Sequence, residues 1–389
     1  MITDGFMYLA TLIFVSALFI YLPKIFTGKI AQKIFAFAPP VVLIYLGLML
    51  LCSVGFWNLE TTAQTYSAVK NPLLYAMLFL MLLRCDLRKI IKLGPKMLIG
   101  FFSATLSIAL GFIVAFAIMK GAIGEDAWKA LGALCGSWMG GAGNMLAIQE
   151  ALNVSESAMA YPLVVDSICA TVYIVFLLWI IGFSNKFNKW TKADTSVINS
   201  IGDSLRAEAE GNKKPFIWQN ISLLIGSGLF VSAISSGIGE MINRYLPIFD
   251  KSTWTVLVVT AIGVILAMTP FGRIRGTEEL SNALLYIVIA LIASRADLGS
   301  IGNAPMWLVT GFIVLIIHVL VMILLAKLLK LDIFTCAVAS LANVGGTATA
   351  PVLAGTYNSA LVPVGIIMAL LGYVVGTGGG LIVAQIMSI

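Results

Sequence analysis

GSWMGGAGNMLAI, residues 136–148, and SLANVGGTATAPV, residues 340–352, are runs of Gly, Ser, Thr and Asn set inside strongly apolar sequence. Glycine-rich backbone is tolerated at membrane depth only where it is buried in protein or lines a watery cavity, because hydrocarbon offers its N–H and C=O groups no partner. Two such interruptions at matching places in the two halves of a chain point to the binding site of a secondary transporter.

The rest of the chain has the composition of a polytopic membrane protein. Apolar residues make up 60% of its 389 positions and charged residues 11%, and mean hydropathy is +1.01. A soluble domain carries about 25% charged residues. The pI of about 9.0 does not indicate nucleic acid, since no basic stripe with interleaved aromatics occurs; loop Lys and Arg that orient the spans account for it. Cys52, Cys85, Cys135, Cys169 and Cys336 fall in or beside apolar segments without CxxC spacing, so neither a disulfide framework nor a zinc site is expected. MITDGF carries Asp4 instead of a basic leader, so the first apolar run is expected to remain as a span.

Apolar runs able to cross about 30 Å of hydrocarbon are expected at 6–22, 41–57, 72–83 (after a polar turn), 97–119 and 161–181. In the second half they fall at 218–242, 254–268, 280–293, 306–325 and 362–386. A polar linker, 184–215, separates the halves, with local helix expected around SLRAEAEG. RCDLRKIIKLGPKML (84–98) matches RADLGSIGNAPMWL (295–308), and SAMAYPLVVDSICATVY (157–173) matches SALVPVGIIMALLGY (359–373). The offset falls from 211 at Arg84 and Arg295 to 200 at Tyr173 and Tyr373, in order along the chain, which implies duplication. Expected units are therefore 1–183, the linker 184–215, and 216–389.

Charge decides how the copies are oriented. If each Gly-rich segment enters and leaves on one side, and the N-terminus is outside, 18 Lys and Arg fall inside and six outside. If both segments cross, the split is 11 inside and 13 outside. The positive-inside bias selects re-entrant hairpins, and inverted copies follow.

The candidate chemistry lies at the hairpins. An interrupted helix leaves N–H groups free at its inner start and C=O groups at its inner end, suited to an anion and a cation respectively. Ser137, Gly140, Gly141, Gly143, Asn144, Gly345, Gly346, Thr347 and Thr349 are the expected solute-binding residues. The competing reading is that small residues only let helices pack closely. Asp166, inside an apolar run, is costly at midplane depth and is read as a sodium ligand or proton carrier, with Asn144 and Asn343 as further cation ligands. Gln149 and Glu150 end the first hairpin and either reach the same cavity or face water. Arg84–Asp86 and Arg295–Asp297 read as interface anchors or helix caps. His318, the only histidine, reads as a packed polar contact. GTGGG at 376–380 lacks the Lys-Ser/Thr of a phosphate loop and suits close helix crossing.

GGAG at 140–143, GGTA at 345–348 and above all NVGGTATAPVLAG at 343–355 resemble the uncharacterised YjcL-like family of bacterial membrane proteins, over nearly the whole chain. More distantly the pattern is similar to sodium/glutamate, sodium/citrate and bile-acid-type sodium symporters. That resemblance implies a transport domain of crossed discontinuous helices moving against a scaffold domain. Ala348 stands where the GGxG pattern has its last Gly, and no buried Arg is evident for a carboxylate.

The expectation is an all-α membrane protein of two inverted five-span repeats in the cell membrane. It would be a homodimer that couples sodium, or a proton, to symport of an amino acid or carboxylate. It would not be an enzyme, and no cofactor is expected. The alternatives are a cation/proton antiporter without organic solute and, further off, an intramembrane hydrolase pairing Ser137 with His318. The orientation has a direct check. A fluorescent protein inserted after Lys192 is expected to fluoresce, and alkaline phosphatase at the same point to stay inactive. The opposite pair of results would mean that the Gly-rich segments cross.

Overall fold

The computed structural model describes residues 1–28, 31, 34–35, 40–194, 217–296, 304–357 and 361–389. The named elements among them are helical throughout, apart from one isolated bridge between Ile2 and Trp57. The first half runs α1 (Gly5–Ile25), α2 (Pro40–Ser53), α3 (Ala63–Leu82), the short α4 (Leu87–Ile91), α5 (Gly94–Ile123), α6 (Ala127–Gly140), α7 (Ala142–Ala151), α8 (Ala160–Ile181) and the short α9 (Ser184–Thr191). The second runs α10 (Trp218–Tyr245), α11 (Lys251–Ala267), α12 (Thr277–Ala293), α13 (Ala304–Leu329), α14 (Ile333–Val344), α15 (Gly346–Tyr357) and α16 (Val362–Met387). Six of the described helices, α1, α5, α8, α10, α13 and α16, are long and apolar enough to cross a membrane. The local helix expected around SLRAEAEG, and Asp297, lie outside the described residues.

Acidic caps set several starts. Asp4, Asp250 and Asp332 each accept from the backbone N–H three residues on, at 2.7–2.8 Å, which satisfies one of the donors that every helix start leaves free. Asp86 caps α4, and the Arg88 guanidinium that bonds it, at 2.8 and 2.9 Å, holds its carboxyl below the ordinary carboxylate value.

Two boundaries differ from expectation. The segment before residue 72 is not a turn: AQTYSAVKN forms the first turns of α3, with Pro72 inside the helix. Tyr66 bonds Glu156, and Lys70 and Asn71 bond Glu150, which offsets the penalty that hydropathy alone assigns them. The second span ends at Ser53, and Trp57 lies past it with its indole N–H on the Ser294 carbonyl at 2.9 Å.

Both Gly-rich segments fold back on themselves. A Cβ placed on Gly132 would lie 3.5 Å from the Leu152 side chain, and one on Gly136 would strike Ile148. Residues 132 and 152 of an unbroken helix would stand about 30 Å apart. In the second pair the rings of Phe334 and Tyr357 lie 4.8 Å apart, centroid to centroid. Each break carries a glycine with positive φ, Gly141 at 87° and Gly346 at 62°, a conformation that L side chains resist.

The hairpins lie along α16 from opposite ends. On its later half, glycines meet at four-residue intervals. Gly132 faces Ala384, Gly136 faces Gly380, and Gly140 faces Gly376 and Gly372. A Cβ on Gly380 would sit 2.9 Å from the Gly136 Cα, and one on Gly376 would sit 2.9 Å from the Gly140 Cα. On its earlier half, Gly365 and Val362 lie against Ala350, Pro351 and Gly355 of α15. The two breaks therefore come together around Gly372 and Tyr373, near the middle of a 26-residue helix.

The helices sort into two packing groups: α5–α8 with α13–α16, and α1–α3 with α10–α12. The seam between them runs chiefly where α7 meets α3 and α11 and where α2 meets α8.

The glycine ladder yields a paired test. Gly380→Val forces side chain into a contact that has no room and is expected to lower stability by about 1–3 kcal/mol or more. Gly226→Ala, at an exposed helical position with nothing within 4 Å of the new Cβ, is expected to be neutral or stabilising by up to about 1 kcal/mol. Thermal unfolding of the two purified variants against the parent measures both, and equal midpoints would refute the ladder.

Candidate functional site

The site is built where the two breaks meet. Tyr373 links them. Its ring edge lies 3.3 Å from where a Cβ on Gly141 would be, and its hydroxyl is 3.0 Å from the Thr347 hydroxyl. The ring is buried, at 7% exposure. One side chain thus touches both breaks, on the helix that both hairpins grip. The inner start of α7 has no side-chain cap, and the Asn144 N–H donates to the Gly141 carbonyl at 3.0 Å. At the start of α15 the Thr349 hydroxyl, beside Gly345, is buried without a partner. Ala348 between them is exposed.

Each hairpin asparagine is held by a threonine. Thr377 of α16 donates to Asn144 Oδ1 at 2.9 Å, while Asn144 Nδ2 donates to the Gly372 carbonyl at 3.2 Å. Thr105 of α5 donates to Asn343 Oδ1 at 2.9 Å, while Asn343 Nδ2 donates to the Ala339 carbonyl at 2.9 Å. Both amides are buried, Asn144 at 4% and Asn343 at 0% exposure. Buried amides without partners would cost about 1–3 kcal/mol each, so the threonines are part of what makes the breaks tolerable.

Asp166 reaches the last turn of α6. Trp138 donates its indole N–H to Oδ1 at 2.8 Å, and Ser137 donates its hydroxyl to Oδ2 at 3.3 Å. The three residues expected to hold a cation make their described hydrogen bonds to different elements. Asp166 is bonded to α6, Asn144 to α16 and Asn343 to α5 and its own helix. The structure joins Asp166 with Ser137, and Thr347 with Gly141 through Tyr373. Gly140 is filled against Gly372, and Gly143 lies against Met81 of α3, so both serve packing as well as proximity to the breaks.

Glu150 does not reach toward the breaks. It sits at the open end of the first hairpin, paired with Lys70 at 2.9 Å and bonded by Asn71 and Ser252. His318 is fully buried between Ser107 on Nδ1, at 2.6 Å, and Ser340 on Nε2. The Ser137 hydroxyl is engaged by Asp166, so the pairing a hydrolase would need is not among the described bonds. Tyr373, Trp138, Thr105 and Thr377 are additions to the expected set. Trp138 and Thr377 lie inside the quoted stretches 136–148 and 376–380, and Tyr373 ends the internal match with Tyr173, but nothing marked any of the three as a site residue.

Comparison with known proteins adds a family without a function. The family described as "Protein of unknown function (DUF819)" matches residues 10–389. "Uncharacterized membrane protein YjcL" of Bacillus subtilis (strain 168) is 26% identical over 349 residues, 85% of each chain.

Removing a threonine tests the asparagine clamps. Thr377→Val and Thr105→Val each leave an amide oxygen buried without its donor and are expected to cost about 1–3 kcal/mol. Combining Thr377→Val with Asn144→Leu should recover part of that loss. Unfolding midpoints unchanged in both single variants would mean that the amides find other donors.

Proposed function

We propose that this chain, a member of the DUF819 family of unknown function, is a secondary active transporter that couples sodium entry to symport of a small organic solute by alternating access. The family relative is a membrane protein, and the chain has the multiple apolar helices of a multi-pass membrane protein. One observation carries the reading beyond that. Two broken helices approach from opposite ends of α16, and their breaks converge on Tyr373 halfway along it. Interrupted backbone at membrane depth is tolerated where it is buried in protein or lines a watery cavity, and paired breaks at matching places are what a secondary transporter uses to build its binding site.

In this reading residues 1–183 and 216–389 are inverted repeats joined by a cytoplasmic linker, 184–215, and the N-terminus is outside the cell membrane. The group α5–α8 with α13–α16 moves against the group α1–α3 with α10–α12, which also forms a homodimer. The solute's carboxylate is held by the free N–H groups at the starts of α7 and α15. Thr347 and Thr349 supply hydroxyls, and the Tyr373 ring swings aside to admit it. Oxygen donors outnumber titratable groups around the breaks, which favours sodium over a proton. Asp166, with Ser137 beside it, supplies the charged ligand, and Asn144 and Asn343 join it when the hairpins shift.

Cation/proton antiport without an organic solute is the second reading. It is favoured by Asp166, a carboxylate inside an apolar helix that accepts hydrogen bonds from Trp138 and Ser137.

A thermal-shift screen of amino acids and carboxylates, with and without sodium, separates the two. A symporter is expected to give a solute whose stabilisation needs sodium, worth about 2.7 kcal/mol at one hundred times its dissociation constant. Asp166→Asn is expected to abolish the sodium requirement. Solute stabilisation indifferent to sodium, or a sodium-dependent hit that survives Asp166→Asn unchanged, contradicts the proposed cation site. Stabilisation by cations alone, lost in Asp166→Asn, favours the antiporter.

A further inference from the structure

The open end of the first hairpin is stitched to the other packing group by polar bonds that no sequence motif announces. Lys70 of α3 pairs with Glu150 of α7 at 2.9 Å, with side-chain exposures of only 15% and 9%. It also lies 3.9 Å from Glu156 in the loop after α7. Asn71 and Ser252 donate to the same Glu150 oxygen at 2.8 and 3.2 Å. Tyr66 donates to the Glu156 carboxylate at 2.6 Å, and Tyr45 of α2 to the Glu156 carbonyl. Thr253 donates to the Ala151 carbonyl at 3.0 Å, and Asn153 to Asp250 at 2.8 Å.

Every one of these bonds crosses the seam. Four scaffold elements (α2, α3, the residue before α11, and α11 itself) hold one short stretch, residues 150–156. The second hairpin is held differently. Asp332 at its base pairs with Lys96 of α5, at 3.3 Å, inside its own packing group. The first hairpin base is therefore tied across the seam, and the second travels with its group.

We infer that Lys70, Glu150 and Glu156 form a latch that holds the moving group docked on the scaffold at this end, and that its release sets how often the alternate conformation is visited. The inference rests on the alternating-access reading above. A screened ion pair contributes most where water is excluded, and removing one partner leaves the other charge buried and unpaired. Asn71 Oδ1 is buried beside the pair without a partner, so docking is incompletely compensated, as suits a contact that must also open. Among the charged groups facing the cluster, Arg295 lies with its guanidinium 4.9 Å from the Tyr66 ring centroid. Lys70 and Arg295 thus face Glu150 and Glu156, with Asp250 as a third carboxylate on the scaffold side.

The test measures conformation and needs no solute. Spin labels are placed on cysteines at the exposed positions Gln64 and Glu125, one on each side of the seam. The background is Cys52→Ser, because the other four thiols are buried. Pulsed dipolar spectroscopy of the full chain in lipid nanodiscs then reads the distances. The docked distance is expected to dominate in the parent, and Glu150→Gln is expected to raise the share of the second distance at least threefold. The charge swap, Lys70→Glu with Glu150→Lys, is expected to return it toward the parent value and guards against a simple folding defect. Two distances whose ratio ignores Glu150→Gln, or a loss that the swap fails to reverse, overturn the latch alone. One unchanged distance in every variant overturns the alternating-access reading along with it.

Discussion

An interrupted helix inside a bilayer must give its loose peptide groups something to bond, and that requirement organises this protein. Both breaks are covered by α16, and the covering is possible because α16 presents small residues to the hairpins at the crossing points. Gly372, Gly376, Gly380 and Ala384 let α6 approach until backbone meets backbone. Thr377 from the same helix satisfies the Asn144 amide just past the first break. In hydrocarbon no water drives apolar helices together, so such close approach supplies the attraction through dispersion and polar contact. The same helix thus fixes the hairpins in depth, brings the breaks together and places Tyr373 between them.

Much of this was legible in the chain itself. Hydropathy located the long helices to within a few residues, because a membrane span is specified by its length and apolarity. The Gly-rich runs identified the breaks, and the contacts of Gly132 with Leu152 and Phe334 with Tyr357 show each segment folding back on itself. The close-crossing reading of GTGGG at 376–380 was also sound. What could not be read were relations that exist only in three dimensions. Gly136 and Gly140 serve the ladder with α16, a packing partner 200 residues and more away in the chain. The polar start of α3 looked like a turn because its justification, Lys70 and Asn71 on Glu150, lies 79–80 residues away. The partners of the three residues assigned to one cation site, Trp138, Thr377 and Thr105, lie on three different helices, which spacing in sequence had no means of naming.

The two packing groups give these local facts a mechanical setting. The seam is narrow and crossed by α7, the second arm of the first hairpin, where Gly143 lies against Met81. A hairpin that lines the proposed site is therefore also the element closest to the scaffold. Motion along the seam would change the environment of the breaks directly. The buried chain from Ser107 through His318 to Ser340 and Tyr173 ties α5, α13, α14 and α8 together inside one group. It suits a part that moves as a unit.

The central claim is that the paired breaks open to water and not to lipid. Its most direct test is a single cysteine at Ala348, the exposed position beside Thr347 and Thr349, in the Cys52→Ser background. The protein would be reconstituted in liposomes and treated with a charged, membrane-impermeant thiol reagent. The account predicts that Ala348→Cys reacts with that reagent. Reaction only with a lipid-soluble maleimide would mean that the second break faces hydrocarbon, and would contradict the account.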